Sequence, residues 1–289
     1  MIPSRSAPPI HRRLCLATML AGSALACAVQ AASAQTDFYN TDRGRPVQIE
    51  DAYATERYAF EFRLAPVRLE RLTGGRYQWS VEPEVAYGIL PRTQVEIGLP
   101  LVFSESGGQR RSGVAGIDLS LLHNLNVETT SLPAFALRAD VLAPVGDLGP
   151  VHPYGSVTAI ATRTAGWGRF HVNAQYAIGP DPASAASGAG GPAAPDLGRW
   201  LAGVAVDKTF PLESMLATVE AFGRKPLRAP GDDATIEYTI GTGVRIQVSP
   251  VLAFDAGVGR RLTGGDQGWY VTFGTAYALG LASLFPGGK

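Results

Sequence analysis

The sequence predicts an all-β protein: a closed antiparallel transmembrane β-barrel of about twelve strands, preceded by a signal peptide. Three observations predict it. The N-terminus has the layout of an export signal, most of the remaining chain alternates apolar and polar residues, and the links between alternating runs differ in length by parity.

The export signal comes first in the chain. Arg5, His11, Arg12 and Arg13 form a basic start, Leu14 to Val29 is apolar and uncharged, and Ala32-Ser33-Ala34 supplies the small-x-small cleavage pattern. Residues 1–34 are therefore read as the signal peptide, with cleavage near Ala34. Cys27 follows Ala24-Leu25-Ala26, a lipoprotein-like spacing with Leu one place off. Both cysteines, Cys15 and Cys27, lie within this peptide, so the mature chain has no disulfide framework, thiol nucleophile or cysteine metal site. Residues 35–56 are polar and aperiodic, with Asp37, Asp42, Arg43, Arg45 and Glu50, and are expected to form a periplasmic lead-in segment.

The barrel is expected over residues 57–279, followed by a tail, 280–289. A strand turns successive side chains to opposite faces, so one-sided burial writes a period of two. Phe60, Phe62 and Leu64 alternate with Glu61 and Arg63. Tyr77, Trp79, Val81, Val85 and Tyr87 alternate with Gln78, Ser80, Glu82, Glu84 and Ala86, and Pro83 within this run predicts a local irregularity because it has no ladder donor. Val95, Ile97 and Leu99 oppose Glu96 and Gly98; Ile117, Leu119 and Leu121 oppose Asp118 and Ser120; Phe135, Leu137 and Val141 oppose Arg138 and Asp140. The same pattern sets Phe170, Val172 and Tyr176 against Arg169, His171 and Asn173. It sets Tyr238, Ile240 and Val244 against Glu237, Thr239 and Arg245, and Phe254 and Val258 against Asp255. Trp269, Val271, Phe273 and Tyr277 close the series. Gly268 to Gly288 carries no charge, but its glycines and its Trp, Tyr, Val, Thr and Phe content favour a strand over a transmembrane helix.

Soluble sandwiches alternate too, with the polar face outside. The export signal, the aromatic residues at the ends of the apolar runs and the loop parity favour the inverse arrangement, with lipid on the apolar face. Connections after odd strands should be long and extracellular: Ser104 to Gly113, Pro180 to Asp196 and Pro226 to Asp233. Those after even strands are short: Thr164 to Gly168, Pro211 to Ser214 and Ser249-Pro250; the exceptions are the tight Thr73-Gly74-Gly75 turn and the middling Val127 to Pro133 link. The expected location is the outer membrane of a Gram-negative-type cell.

Glu82-Pro83-Glu84-Val85-Ala86-Tyr87-Gly88, followed by Thr93-Gln94-Val95-Glu96-Ile97-Gly98-Leu99-Pro100, resembles outer-membrane proteins grouped under the meta-pathway of phenol degradation. Gly113 to Leu121 and Phe170 to Tyr176 are similar to further strands of that family. The resemblance runs through most of the mature chain. It implies an outer-membrane barrel that passes small hydrophobic or aromatic compounds, and it supplies no catalytic residues. The C-terminal Phe285-Pro286-Gly287-Gly288-Lys289 departs from the terminal aromatic of many such barrels.

The chemistry-bearing residues fall on the polar face. The lumen-facing candidates are Glu61, Arg63, Glu82, Glu84, Glu96, Asp118, Arg138, Asp140, Arg169, His171, Asn173, Glu237, Arg245 and Asp255. They mix both signs, as a paired, wet lumen wall would. Glu82 and Glu84 share a face on which a cation or a proton could be held, although pairing within the wall accounts for them more simply. There is no Gly-x-Ser-x-Gly elbow, phosphate-binding Gly-Lys-Ser/Thr loop or His-Glu-x-x-His motif. No catalytic, cofactor or metal site is expected. The balance of 25 basic and 25 acidic residues argues against a nucleic-acid partner. The expected partners are outer-membrane lipid and a small-molecule solute. A channel or transporter is the leading expectation. The alternatives are a structural or adhesive barrel working through its outer loops, and a membrane-embedded hydrolase with His171 as base.

Overall fold

The structure, a computed structural model, describes residues 31–32, 40–181, 197–227, 235–265 and 267–281. The signal-peptide core, most of the Pro180–Asp196 connection and the C-terminal tail lie outside the described residues. Twelve antiparallel strands form the wall. In chain order these are β1 (Ala59–Leu72), β2 (Arg76–Leu90), β3 (Thr93–Gly98 continued by Leu101–Ser106) and β4 (Gln109–Val114 continued by Ile117–Asn124). They continue as β5 (Ala134–Ala143), β6 (Tyr154–Ala165), β7 (Gly168–Ile178), β8 (Gly198–Thr209), β9 (Met215–Pro226), β10 (Glu237–Ser249), β11 (Leu252–Arg261) and β12 (Gly268–Leu281). Each strand pairs with its sequence neighbours, and β12 pairs with β1, so the sheet closes. Closure satisfies the edge amides that an open sheet would present to lipid.

The period of two is the reason these segments form this wall. Along β5 the burial alternates strictly from Ala134 to Val141, with Phe135, Leu137 and Val141 exposed and Ala136, Arg138 and Asp140 buried. In a soluble protein this would be inside out. Trp79 is 40% exposed and Phe273 49%, and the other strands likewise expose large apolar side chains. An apolar exterior around a charged interior is the arrangement that lipid selects. Replacing Val172, which is exposed halfway along β7, by Arg is expected to lower folding stability in vesicles by about 2–4 kcal/mol. Urea titration of the reconstituted barrel checks this, and unchanged stability would place that face away from lipid.

Connections follow the expected parity, with 73–75 and 125–133 as the expected exceptions and one further difference. The Ser104–Gly113 stretch is not a long loop. Its residues continue the β3–β4 ladder, Val102 opposite Gly113 and Ser104 opposite Arg111, and the chain reverses at Gly107-Gly108. Both glycines have positive φ, 58° and 79°, which side-chain-bearing residues rarely adopt. The long connections 144–153 and 179–197 share one rim, and the short turns 91–92, 166–167 and 250–251 share the other.

The irregularity expected at Pro83 is real and is larger than one residue. The β1–β2 register slips between Leu64 and Val67, where Pro66 stands, and β3 breaks at Leu99-Pro100 beside Pro83. Three prolines on adjacent strands thus remove ladder donors at one height. Next to them the β12–β1 pairing is interrupted between Phe273 and Ala278.

Candidate functional site

The lumen is occupied by the chain itself. Residues 35–56 are expected from the sequence to form a periplasmic lead-in segment; residues 41–55 instead run through the lumen, where Arg45, Ile49 and Asp51 are almost wholly buried. The segment has no apolar period because its surroundings are polar on nearly every side. Its C-terminal end lies at the short-turn rim, where the Thr55 amide donates to the Gln94 side chain. The Ala52 amide donates to Thr162 Oγ1 at 3.0 Å, and Asn124 Nδ2 donates to the Ala52 carbonyl at 2.7 Å. Asn173 makes a two-sided clasp on Glu50: its Oδ1 accepts from the Glu50 amide at 2.9 Å and its Nδ2 donates to the Glu50 carbonyl at 2.8 Å. Glu220 Oε2 accepts from two successive amides, Gln48 at 2.7 Å and Ile49 at 3.0 Å. Thr272 Oγ1 donates to the Pro46 carbonyl at 2.9 Å. Side chains of six strands thus satisfy a backbone that forms no sheet of its own, as buried amides require.

Two small apolar clusters assist. Ala52 sits among Leu122, Ala134, Ala136 and Ile160, and Ile49 among Leu201, Ala205 and Phe222. On the opposite wall the segment approaches glycines. A Cβ on Gly257 would lie 2.4 Å from the Pro46 carbonyl oxygen, and one on Gly243 would lie 2.6 Å from Pro46 Cβ. Gly257→Val is therefore expected to push the segment off the wall and raise conductance in planar bilayers while the barrel still forms; parental conductance would refute this contact.

Charges complete the fit. Arg63 of β1 pairs with Asp42 of the segment at 2.8 Å, with Glu61 at 2.9 Å and with Glu96 at 2.5 Å. Arg138 of β5 pairs with Glu96 at 2.5 Å, Asp140 at 2.7 Å and Glu50 of the segment at 3.3 Å. Arg43 of the segment reaches Asp118 at 3.1 Å and Asp140 at 3.3 Å. Arg169 lies 2.8 Å from Asp207 and 3.5 Å from Asp51. Arg245 pairs with Asp42 at 3.1 Å, and Asp255 lies 3.5 Å from Arg45 and 3.8 Å from Arg245. Glu84 is 3.6 Å from Arg63. Glu237 pairs with Arg224, and Arg261 approaches it at 3.4 Å.

The structure therefore brings most of the sequence-derived candidates into one network on the inner wall. Glu82 stands apart, lining a cavity above the segment. His171 is 1% exposed and bridges Thr162 Oγ1 at 3.0 Å and Asp207 at 2.9 Å. That Asp–His–Thr chain has the order of a nucleophile relay, but the Thr162 hydroxyl is buried and accepts the Ala52 amide, so the chain serves to hold the segment. The sequence pattern does not single out as lumen residues Glu220, Asp207, Thr162 or the segment's own Asp42, Arg43, Arg45, Glu50 and Asp51. Glu220 and Asp207 had a signal: they share the parity of Thr218 and Arg224 on β9, and of Ala205 on β8, beside exposed Val219 and Val204.

Two cavities flank this arrangement. One of about 260 Å³ lies above the segment toward the long-connection rim. Arg43, Gly44 and Gln48 reach it from the segment, and Arg68, Glu82, Asp118, Tyr154, Gln175 and Arg224 stand around it. The other, of about 520 Å³, is on the lipid side of the wall at the interrupted β12–β1 seam. Phe62, Leu64, Val85, Ile97, Leu99 and Tyr277 line it, and Arg63 and Glu84 of the interior network border it. Among the described residues no cluster of His, Cys, Asp and Glu has the makings of a metal site.

No family model matches the chain, and no curated protein matches it. Solved structures do. An outer membrane channel from Pseudomonas putida F1 superposes with a TM-score of 0.54 over 83% of this chain and 100% of that one, at 12% identity. The KdgM porin in complex with disordered oligogalacturonate has a TM-score of 0.44 at 9% identity, over 76% of this chain and 98% of that one. The translocator domain of the autotransporter NalP from Neisseria meningitidis also has a TM-score of 0.44, at 12% identity, over 76% of this chain and 87% of that one. At these identities the likeness is one of fold: a closed antiparallel barrel of the outer-membrane type.

Proposed function

We propose that the chain is an outer-membrane channel for small solutes, with its own N-terminal segment as the constriction and with hydrophobic or aromatic compounds as the solute class. The observation that carries this reading is the inside-out distribution of polarity: an apolar exterior around a charged interior crossed by a short, hydrogen-bonded segment. A wall built only for rigidity gains little from desolvating so many charges, because buried pairs seldom repay their desolvation. A wall that must accept water and solute when its segment moves needs polar groups in place.

The solute class has two supports. The strand motifs resemble the family associated with phenol degradation, and the cavity at the β12–β1 seam is apolar and faces lipid. A compound dissolved in the outer leaflet would meet Phe62, Leu64 and Tyr277 first and the Arg63–Glu84 pair behind them. An aromatic ring with one polar substituent suits that sequence of surfaces.

Purified barrel in liposomes should take up a small aromatic carboxylate, which crosses bare bilayers slowly because its charge resists transfer. Uptake no faster than in protein-free liposomes would sink the proposal. Occupancy of the lumen also favours a second reading, a sealed structural barrel acting through its outer loops. That reading expects no uptake, and it expects loss of function when Pro180 to Asp196 is trimmed.

A further inference from the structure

The outer surface carries a row of alternating cations and rings where the apolar belt meets the long-connection rim. Arg260 of β11 stands opposite Trp269 of β12, Trp269 opposite Arg71 of β1, and Arg71 opposite Tyr77 of β2. All four are exposed, Trp269 by 55% and Tyr77 by 52%. The Arg260 guanidinium lies 5.1 Å from the Trp269 ring centroid and that of Arg71 5.9 Å from the Tyr77 centroid. Neighbouring strands lie about 4.8 Å apart, so the two arginine backbones are about 10 Å apart across Trp269.

The height of the row on the wall is set by its neighbours. One step toward the membrane centre the outward residues are Val258, Val271, Leu69 and Trp79, all apolar. One step the other way are Leu262, Gln267 and Thr73, next to the connections. The next partner along the row, Glu105 of β3, is paired with Arg110 at 3.1 Å. Among the described outward residues of the row, Glu105 is the only carboxylate, and Arg71 and Arg260 are held by rings instead. Rings fix a guanidinium's plane without consuming its donors, and a fixed guanidinium fork matches phosphate oxygens.

We propose that the Arg260–Trp269–Arg71–Tyr77 row binds the phosphate groups of an acidic glycolipid in the leaflet around the long-connection rim. The sugars lie against the Trp269 and Tyr77 rings, and the acyl chains lie over Leu69, Val258 and Trp79. This rests on the reading of the chain as an outer-membrane barrel.

The test uses the full mature barrel, purified in detergent, mixed with a bis-phosphorylated glucosamine-disaccharide lipid or its dephosphorylated form. Bound lipid is measured by mass spectrometry after gel filtration. The parent protein should retain the phosphorylated lipid and not the other. Arg71→Ala with Arg260→Ala should cut retention on the order of tenfold or more. Lys208→Ala, an exposed cation near the short-turn rim, should leave it unchanged. Heat-modifiable gel mobility shows that each variant is folded, and bilayer conductance is read on the same samples. Equal retention of the two lipids, or undiminished retention by the double arginine variant, overturns the proposal. Both results leave conductance, and so the channel reading, standing. A barrel that retains the lipid but conducts nothing overturns the channel reading alone.

Discussion

Deleting residues 40–55 from the mature chain is expected to raise single-channel conductance on the order of tenfold while the barrel still assembles. The wall does not depend on the segment for its own ladder: every strand pairs with both neighbours through wall residues. What the segment supplies is occupancy. It is fastened by Glu220, Asn173, Thr162, Gln94 and Thr272, and by the ion pairs of Arg43, Asp42 and Glu50. Once it is gone, water enters and hydrates the wall groups it had paired, so their exposure costs little, as for ion pairs open to solvent. Planar-bilayer recordings measure the outcome, with heat-modifiable mobility as the folding control. A folded deletion variant with parental conductance would mean that the segment is not the constriction.

Arg138→Leu is expected to be the most damaging single substitution within the lumen. The guanidinium of Arg138 serves Glu96, Asp140 and Glu50 together and donates to Ser120 Oγ at 2.7 Å. Its loss leaves Glu50 without its wall cation. Glu96 keeps Arg63, and Asp140 keeps Arg43. Breaking a buried pair by removing one partner costs about 3–5 kcal/mol, because the remaining charge is neither solvated nor matched. Arg138→Lys should recover only part, since one ammonium lacks the planar fork that spans several carboxylates. Denaturant unfolding in vesicles gives the stabilities. If Arg138→Leu matches the parent, the network is not what holds the segment against β5.

The wall was legible in the sequence because its rule is local. Phe135, Leu137 and Val141 against Arg138 and Asp140 announce a strand and its two faces without knowledge of any neighbour, and only closure had to be supplied from the strand count. The inner residues were legible for the same reason. The segment was not. Between Asn40 and Thr55 there is no period, no motif and no spacing that separates a free lead-in from a lumen insert. Its position is fixed by partners far away in sequence, such as Glu220 for Ile49 or Thr272 for Pro46. Such matches exist only after twelve strands have curved round to face one another. Pro83 shows the intermediate case: the sequence marks a defect there, but the alignment of that defect with Pro66 and Pro100 depends on register.

The interrupted seam between Phe273 and Ala278 gives Arg45 a part that its charge alone would not suggest. Its Nη1 donates to the Thr275 carbonyl at 3.2 Å, from inside the lumen, in the stretch of β12 that has no partner on β1. The segment is thus riveted to the interrupted joint of the staves. Whatever pulls the rivet unplugs the bore and loosens that joint in the same stroke, so axial and sideways permeability should rise together.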